Sequence, residues 1–242
     1  MDAAVVHECD EIVAVSKRPG ETVVPAGGPL AEECLHRRME RALGARLWVV
    51  HRLDRDTSGV VVFARSADAH RALSLAFERR RVQKTYVAFT SAMPPSLAGR
   101  LETPLHGGRR GRMRPAREHE PGIREAVTAY KVLRSWHALR AGEAGDHVAQ
   151  VELVPTTGRH HQLRVHLRAA GAPVLFDRIY GRGVAIPALA NAPCGRLALH
   201  ALRLALPSGA GLLTIEAPLA PDLVALRDWL DLGWIPGRTA NA

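Results

Sequence analysis

A nine-residue loop between two buried strands constrains this chain more than any other feature. The loop reads His-Arg-Leu-Asp-Arg-Asp-Thr-Ser-Gly over residues 51–59, between a Trp-Val-Val run and a Val-Val-Val-Phe-Ala run. Short β-branched runs bounded by polar or turn residues predict buried strands. The loop therefore places the carboxylate of Asp54 between Arg52 and Arg55, whose charges should keep it ionised. Such a carboxylate can act as a nucleophile or anchor an ion pair, and it is a poor general acid.

The rest of the chain mixes strand and helix patterns without regular β-α-β alternation. Helices are predicted over 30–43, 67–80, 160–170 and 222–230, and strands over 84–90, 125–133, 148–154, 197–206 and 212–216. This order predicts an α+β fold with a mixed sheet. With 242 residues, 47% of them hydrophobic, the chain can bury the core of one domain or of two closely packed lobes.

The charge balance favours nucleic acid as the partner. Lysine and arginine number 33 against 24 acidic residues, a net charge of +9, and arginine supplies nearly all of the excess. Arginine makes planar, bidentate contacts with phosphate. An arginine-rich composition unrelated to binding remains the alternative. We also expect a cytoplasmic protein that does not enter the membrane, because the chain has three widely spaced cysteines and no long apolar segment.

The loop and five further segments resemble a known family. HRLDRDTSG is similar to the signature loop of the RluA-type pseudouridine synthases, H-R-L-D-x-x-T-S-G. Other segments resemble, in the family's order, its opening strand with a Lys-x-Pro-Gly turn and its K-x-Y, A-x-T-x-Y, T-G-R-T-H-Q-[IL]-R-V-H-L and L-x-L-H-A motifs. They are residues 10–20, 84–88, 122–130, 157–167 and 197–201, and the whole resemblance covers about residues 10–219.

This resemblance implies the pseudouridine synthase catalytic fold, with a largely antiparallel central sheet and flanking helices. We expect residues 1–242 to form a single catalytic domain, without a separate N-terminal RNA-binding domain, and to be a monomer. The implied activity is the isomerisation of uridine in structured ribosomal or transfer RNA. It needs no metal and no redox cofactor, because the reaction moves no net electrons.

The resemblance also implies three catalytic residues. Asp54 would engage C1′ of the ribose, as carboxylates do in retaining glycosidases, either by addition or by proton abstraction to give a glycal. Arg164 would pair with Asp54 and keep it ionised. Tyr86 would stack on the extruded uracil and could help to move the C5 proton. The alternative interpretation of Tyr86 is an ordinary core tyrosine.

Six further residues are predicted to contact RNA. By resemblance, Arg52 enters the RNA stem that the base leaves. At the start of a predicted helix, backbone N–H groups and basic side chains could bind a phosphate, unless this segment is only a helix cap. A basic stripe that includes Arg164 should face outward along that helix. The predicted RNA-binding residues are Arg52, Arg55, Arg159, His161, Gln162 and Arg168.

Several positions carry structural predictions or depart from the family. We expect His51, Thr57 and Ser58 to stabilise the loop, the two hydroxyls through bonds to the backbone. Phe176 and Asp177 stand where the family usually has Gly-Asp, and His160 replaces its usual Thr. The segment 107–117, rich in glycine and arginine, is either an RNA-facing hairpin or loop or a merely solvated loop.

Two other functions compete with the synthase. An RNA-binding protein or RNA chaperone could retain the fold without turnover, but it would need no combination of Asp54, Tyr86 and Arg164. A glycoside hydrolase would usually need a second carboxylate with a clear partner role, and the sequence suggests none.

Overall fold

The structure, a computed structural model, describes residues 4–25, 33–138, 147–181, 186–209, 211–237 and 239. Strands and helices are mixed along the chain, and both parallel and antiparallel pairs occur, so the predicted α+β class and mixed sheet are confirmed. The elements are β1 (Ala4–Glu8), β2 (Ile12–Lys17), α1 (Leu35–Leu43), β3 (Trp48–Val49), β4 (Ser58–Ala64), α2 (Ala67–Glu78), β5 (Gln83–Thr90), β6 (Ala98–Leu101), β7 (Leu105–Gly107), β8 (Met113–Pro115), β9 (Thr128–His137), β10 (His147–Pro155), α3 (Gln162–Ala169), β11 (Leu199–Ser208), β12 (Gly211–Glu216), α4 (Pro221–Gly233) and β13 (Ile235–Pro236).

The chain divides into two compact units. The first unit contains Met1–Thr85 and His200–Leu219, and the second contains Tyr86–Leu199 and Ala220–Ala242. Asp54 and its loop lie in the first unit. Tyr86 and Arg164 lie in the second.

Strand β4 is the centre of the first unit, and all seven of its residues are buried. Strand β2 pairs antiparallel along one edge of β4. On the other edge, β3 pairs antiparallel with the end of β4, and β11 pairs parallel with its beginning. The signature loop connects β3 to β4, so both of its ends are fixed by strands of the sheet.

Gly59 is required where β4 meets β11. Its φ is +120°, and a Cβ added there would overlap the backbone of Ala201 on the neighbouring strand. Only glycine combines this backbone conformation with so close an approach. The last residue of the signature motif is therefore explained by packing between strands.

In the second unit, β10 lies between β5 and β9, and both pairs are antiparallel. Strands β6 and β13 extend this arrangement by pairing with β9. The fully buried ring of Trp136 stacks with Phe89 at 6.2 Å between ring centroids. Its Nε1 donates a 2.8 Å hydrogen bond to Asp231 of α4, which attaches that helix to β9.

The predicted helices and strands are present, but several of them begin or end at other residues than predicted. Helix α1 begins at Leu35 instead of residue 30, and residues 30–32 of that prediction lie outside the described residues. Strand β9 begins three residues later than predicted and continues to His137. The segment 107–117 lies in a hairpin of β7 and β8 with a 3₁₀ turn at Arg109–Gly111. Whether this hairpin faces RNA stays a prediction.

Among the described residues, no helix has both the length and the apolar composition needed to cross a membrane.

Replacing Gly59 with alanine should destabilise the protein severely. The new Cβ overlaps the Ala201 backbone, and the φ of +120° is strained for any L-residue. We expect a loss of at least about 3 kcal/mol in the free energy of unfolding, measured by urea denaturation. Gly44→Ala is the matched control, because Gly44 also has a positive φ but has nothing within 4 Å of an added Cβ. Its cost should stay near 1 kcal/mol, and equal losses for the two variants would contradict this explanation.

Candidate active site

The signature loop of the first unit is fixed by a buried lysine. Lys17 is 1% exposed, and its Nζ donates hydrogen bonds to the carbonyl oxygens of Arg18, Glu21 and Arg55 at 2.8, 2.8 and 2.9 Å. The N–H of Gly20 also donates to the Arg55 carbonyl, at 2.9 Å. A buried ammonium group is tolerable only with such partners. The Lys-x-Pro-Gly turn therefore determines the path of the loop that carries Asp54.

Within the loop, Asp54 is half-buried while Arg52 and Arg55 are exposed. The N–H of Thr57 donates to the Asp54 carbonyl at 3.1 Å, which closes a turn directly after the carboxylate. Arg55 also donates from Nε to the Gly20 carbonyl at 3.0 Å. The loop thus presents Asp54 from a backbone that is held on both sides.

Ser58 supports the loop through a different partner than we predicted. Its Oγ lies 2.9 Å from Nδ1 of the fully buried His200, whose Nε2 lies 3.1 Å from the carbonyl oxygen of Ala217. Because Nε2 faces a carbonyl, it carries the proton, and Nδ1 accepts from the Ser58 hydroxyl. The supporting bond therefore goes to a side chain, and the prediction of a backbone partner is wrong.

His51 is a structural residue, as the sequence suggested. Its Nε2 accepts a 2.9 Å hydrogen bond from the N–H of Val62, beyond the point where β3 stops pairing with β4. Its ring stacks on Phe77 at 4.8 Å. Burial, together with the nearby charge of Lys84, lowers the pKa of His51 to about 3. The neutral imidazole thus satisfies a backbone donor that the sheet leaves open.

In the second unit, Arg164 and Asp177 form a buried, bidentate ion pair. Nε and Nη2 of Arg164 donate to the two carboxylate oxygens of Asp177 at 2.7 and 2.8 Å, and each residue is 4% exposed. Burial alone would raise the pKa of Asp177, but hydrogen bonds from Arg164 and from the N–H groups of Tyr180 and Ile179 hold it below its usual value. Asp177 therefore remains an anion.

This pair corrects the prediction that Arg164 belongs to an outward basic face. The guanidinium is buried, whereas Arg168, one turn later on α3, is exposed. Sequence reasoning also missed Asp177 as a partner of Arg164. The pairing of Arg164 with Asp54 stays a prediction.

Phe176 precedes Asp177 in a left-handed conformation, with φ of +59°. This region is unfavourable for a bulky residue and free for glycine. The geometry explains why glycine would fit this position, where the family usually has it. Here the left-handed turn contains a phenylalanine and presents Asp177 to Arg164.

Gln162 is a scaffold residue, and the prediction that it binds RNA is corrected. Its side chain is 3% exposed. The Oε1 accepts from the Thr157 hydroxyl at 2.7 Å and from the Arg159 N–H at 3.0 Å, while Nε2 donates to the Val127 carbonyl and the Thr128 hydroxyl, both at 3.0 Å. These four bonds use the full capacity of the amide. Gln162 therefore joins α3 to the beginning of β9.

The remaining predicted residues of this unit lie nearer the surface. Arg159 is half-buried, and its Nε donates to the Glu125 carbonyl at 3.1 Å. His161 is half-buried, and His160 is exposed and stacks on it with 3.8 Å between ring centroids. Tyr86 is half-buried in β5, opposite Leu153 of β10. Their contacts with RNA and with the target base stay predictions.

The hairpin of β7 and β8 exposes arginines beside this region. Arg109, Arg112 and Arg117 are exposed, whereas Arg114 donates to Glu120 at 2.8 Å from Nη1. Hydrogen bonds from Arg114 lower the pKa of Glu120 to about 2. The hairpin thus presents exposed arginines, while its Arg114 is paired with Glu120 in the segment that follows.

A pocket of about 360 Å³ lies beside Asp177 in the second unit. Its walls are mainly aliphatic, and Ser91 and Asp177 are its polar side chains. The carboxylate oxygens of Asp177 already accept from Arg164, Tyr180 and Ile179. A pocket of this kind is poorly suited to a ribose phosphate, which needs donors.

The family model and the relatives that match this chain are all described as RNA pseudouridine or pseudouridylate synthases. A family model described as RNA pseudouridylate synthase matches residues 11–169. The chain is 36% identical over 216 residues to the dual-specificity RNA pseudouridine synthase RluA of Escherichia coli O6:H1, covering 88% of this chain and 92% of that protein. It is 36% identical over 177 residues to the uncharacterized RNA pseudouridine synthase YhcT of Bacillus subtilis, covering 72% of this chain and 53% of the relative.

A solved structure agrees with these relatives. The human RNA pseudouridylate synthase domain containing 4 is similar with a TM-score of 0.76 and 26% identity, covering 98% of this chain and 94% of that one. The chain spans less than two thirds of the length of several curated relatives that it matches, between 53% and 66%.

Acid should destabilise the protein partly through His51. The pKa of His51 falls from 6.5 to about 3 on folding, so its neutral form contributes stability above about pH 6.5 that is lost as the pH falls toward 3. Replacement by Gln keeps an acceptor for the Val62 N–H and removes the titration. Between about pH 7 and about pH 5, wild type should lose about 2 kcal/mol more unfolding free energy than His51→Gln, as measured by urea denaturation. An identical loss in both proteins would refute the structural role of the neutral ring.

Proposed function

Because this chain belongs to the RNA pseudouridylate synthase family, we propose that it isomerises uridine to pseudouridine in RNA. The supporting observation is that the matched region, residues 11–169, includes the Asp54 loop, Tyr86 and Arg164. In this reaction the bond from N1 to C1′ breaks and a bond from C5 to C1′ forms. C5 loses a proton and N1 gains one, so the product is an isomer of the substrate.

We propose Asp54 as the carboxylate that acts on the ribose. Its loop supports this role, since Lys17 and the strands β3 and β4 fix the backbone on both sides of the carboxylate. An ionised carboxylate can add to C1′ or abstract a ribose proton, and both routes lead to a separated uracil that can turn and reattach. The reaction is proposed to need no redox cofactor, because it is redox-neutral, and no metal, because the Asp54 carboxylate itself engages the ribose.

Tyr86 and Arg164 are proposed to complete the catalytic group. Tyr86 would provide the aromatic face against which an extruded uracil stacks. Arg164 would supply the positive charge that favours ionised Asp54. The ion pair with Asp177 supports this role, because it fixes the plane of the guanidinium before any substrate binds.

The proposed substrate is a stem-loop of ribosomal or transfer RNA, bound by a monomer of a single catalytic domain in the cytoplasm. The net charge of +9 supports an RNA partner. The proposed contacts are Arg52, Arg55, Arg159, His161 and Arg168, with Gln162 removed from the group. The three cysteines have free thiols, which agrees with a reducing compartment.

Deleting the gene should remove pseudouridine from defined RNA positions. Pseudouridine would be mapped across all cellular RNAs of the deletion strain and its parent. We expect one or a few positions to lose the modification, and purified wild-type protein to restore it on RNA extracted from the deletion strain. An unchanged map together with no product from the purified protein would sink the proposed function.

Arg52→Ala and Arg159→Ala should weaken RNA binding and reduce its salt dependence. Each lost phosphate contact lowers the slope of log K against log salt by about 1. Binding would be measured by fluorescence anisotropy over a series of salt concentrations. Arg71→Ala is the matched control, because Arg71 lies on α2 with its side chain 83% exposed and outside the proposed contacts. A slope unchanged in Arg159→Ala would remove that residue from the phosphate-binding group.

A further inference from the structure

Tyr180 has no role in the proposed chemistry. Its backbone N–H, its ring and its hydroxyl each contact residues on or near α3. Its backbone N–H donates to the Asp177 carboxylate at 3.0 Å. The guanidinium carbon of Arg164 lies 5.0 Å from the centroid of its ring. Its hydroxyl oxygen accepts from the N–H of Met113 at 2.9 Å and lies 2.8 Å from Nδ1 of His161. A single side chain thus contacts Arg164, His161 and the arginine hairpin.

We propose that Tyr180 is a positioning residue for the isomerisation. The proposal rests on the proposed function. Tyr180 acts through two neighbours: its ring lies under the Arg164 guanidinium at cation–π distance, and its hydroxyl sets the orientation of the His161 ring. Removing the hydroxyl keeps every proposed RNA contact, His161 included, but frees the orientation of the His161 ring. It should therefore slow the chemical step by misplacing the bound nucleotide.

The ring of Tyr180 completes the support of Arg164. The Asp177 carboxylate binds the guanidinium edge in its own plane through two hydrogen bonds. The guanidinium carbon lies over the Tyr180 ring at 5.0 Å from its centroid, within cation–π distance. The guanidinium is therefore restrained by two different partners, the carboxylate of Asp177 and the ring of Tyr180.

The hydroxyl of Tyr180 acts on the start of α3. His161 caps this helix in a left-handed conformation, with φ of +53°, that L-residues rarely adopt. Such a conformation persists only where surrounding contacts favour it. For His161 these contacts include the Tyr180 hydroxyl and, on the ring face, the stacked ring of His160.

The same hydroxyl connects α3 to the arginine hairpin. Met113, whose N–H it accepts, begins strand β8 and packs in an apolar cluster with Leu105, Ala126 and Val165 of α3, against which Tyr180 also lies. The hairpin is therefore joined to α3 by apolar packing and by the hydrogen bond to Tyr180. Displacing the hydroxyl affects the placement of His161 while this packing keeps the hairpin in place.

The test is Tyr180→Phe, which deletes the hydroxyl and keeps the ring. Single-turnover formation of pseudouridine would be measured at saturating RNA, and RNA affinity would be measured separately. We expect the rate constant at saturation to fall about tenfold, as the loss of one ordered hydrogen bond in the reaction geometry predicts. The dissociation constant of RNA should stay within about twofold, because all of the proposed RNA contacts are retained and only the orientation of one of them, His161, changes.

Tyr130→Phe is the matched control. Tyr130 lies in the same unit, is 6% exposed, and has its hydroxyl oxygen 2.8 Å from Oγ of Ser96. The chemical change is identical, but no residue of the proposed site is involved. We expect wild-type rate and affinity from this variant, and its thermal stability measures what the loss of a buried tyrosine hydroxyl costs.

A second variant tests the hydrogen bond from its other side. At saturating RNA, which compensates for the loss of the proposed His161 contact with RNA, His161→Gln should slow the reaction. The double variant with Tyr180→Phe should be no slower than the slower single variant, because both remove the hydrogen bond between the two side chains. This cycle also tests the proposal through His161→Gln if Tyr180→Phe does not fold.

Three outcomes would overturn the proposal. They are an unchanged rate in Tyr180→Phe, a loss confined to RNA affinity, and fully additive effects of the two substitutions. If Tyr180→Phe does not fold, a wild-type rate in His161→Gln overturns it as well. If the wild-type protein is active, any of these results refutes the role of Tyr180 and leaves the proposed function standing. An inactive wild-type protein refutes the proposed function, and this inference with it.

Discussion

The buried ion pair of Arg164 and Asp177 is the interaction on which the candidate site of the second unit depends. Arg164 is 4% exposed, and two parallel hydrogen bonds join its guanidinium to Asp177. An unpaired charge buried to this extent would cost about 3–5 kcal/mol of stability. The same carboxylate accepts from the N–H groups of Ile179 and Tyr180 and so fixes the loop that follows it. Arg164, Tyr180 and His161 therefore form one connected arrangement, and a change at Asp177 would alter all of them.

In the first unit, a buried charged group also fixes the backbone that carries the proposed carboxylate, Asp54. The buried ammonium group of Lys17 donates hydrogen bonds to three carbonyl oxygens, one of which belongs to Arg55 of the signature loop. Gly59 lets β4 approach β11 at the end of that loop, and His51 satisfies the free N–H of Val62 beside its start. The residues around Asp54 in the motif thus serve mainly to fix a backbone. This explains why a loop so short needs so specific a sequence.

The sequence predicted the fold class and most elements, because apolar periodicity and turn residues act locally. It also predicted that His51 is structural. It could not predict that Asp177 binds Arg164, since the two are thirteen residues apart and meet only through a left-handed turn at Phe176. Gln162 was misjudged for a similar reason. A polar residue in a basic motif suggests RNA, and only the positions of Val127 and Thr128 reveal that its amide is fully used.

The central claim, that the Asp54 carboxylate performs the isomerisation, is tested most directly with RNA tritiated at C5 of uridine. Each pseudouridine formed must release the C5 tritium to water, because C5 bonds to C1′. Asp56→Asn is the matched control, an exposed carboxylate two residues away. In single-turnover reactions with equal RNA occupancy, wild type and Asp56→Asn should release tritium alike, and Asp54→Asn should release none. Release by Asp54→Asn at the wild-type rate would contradict the account.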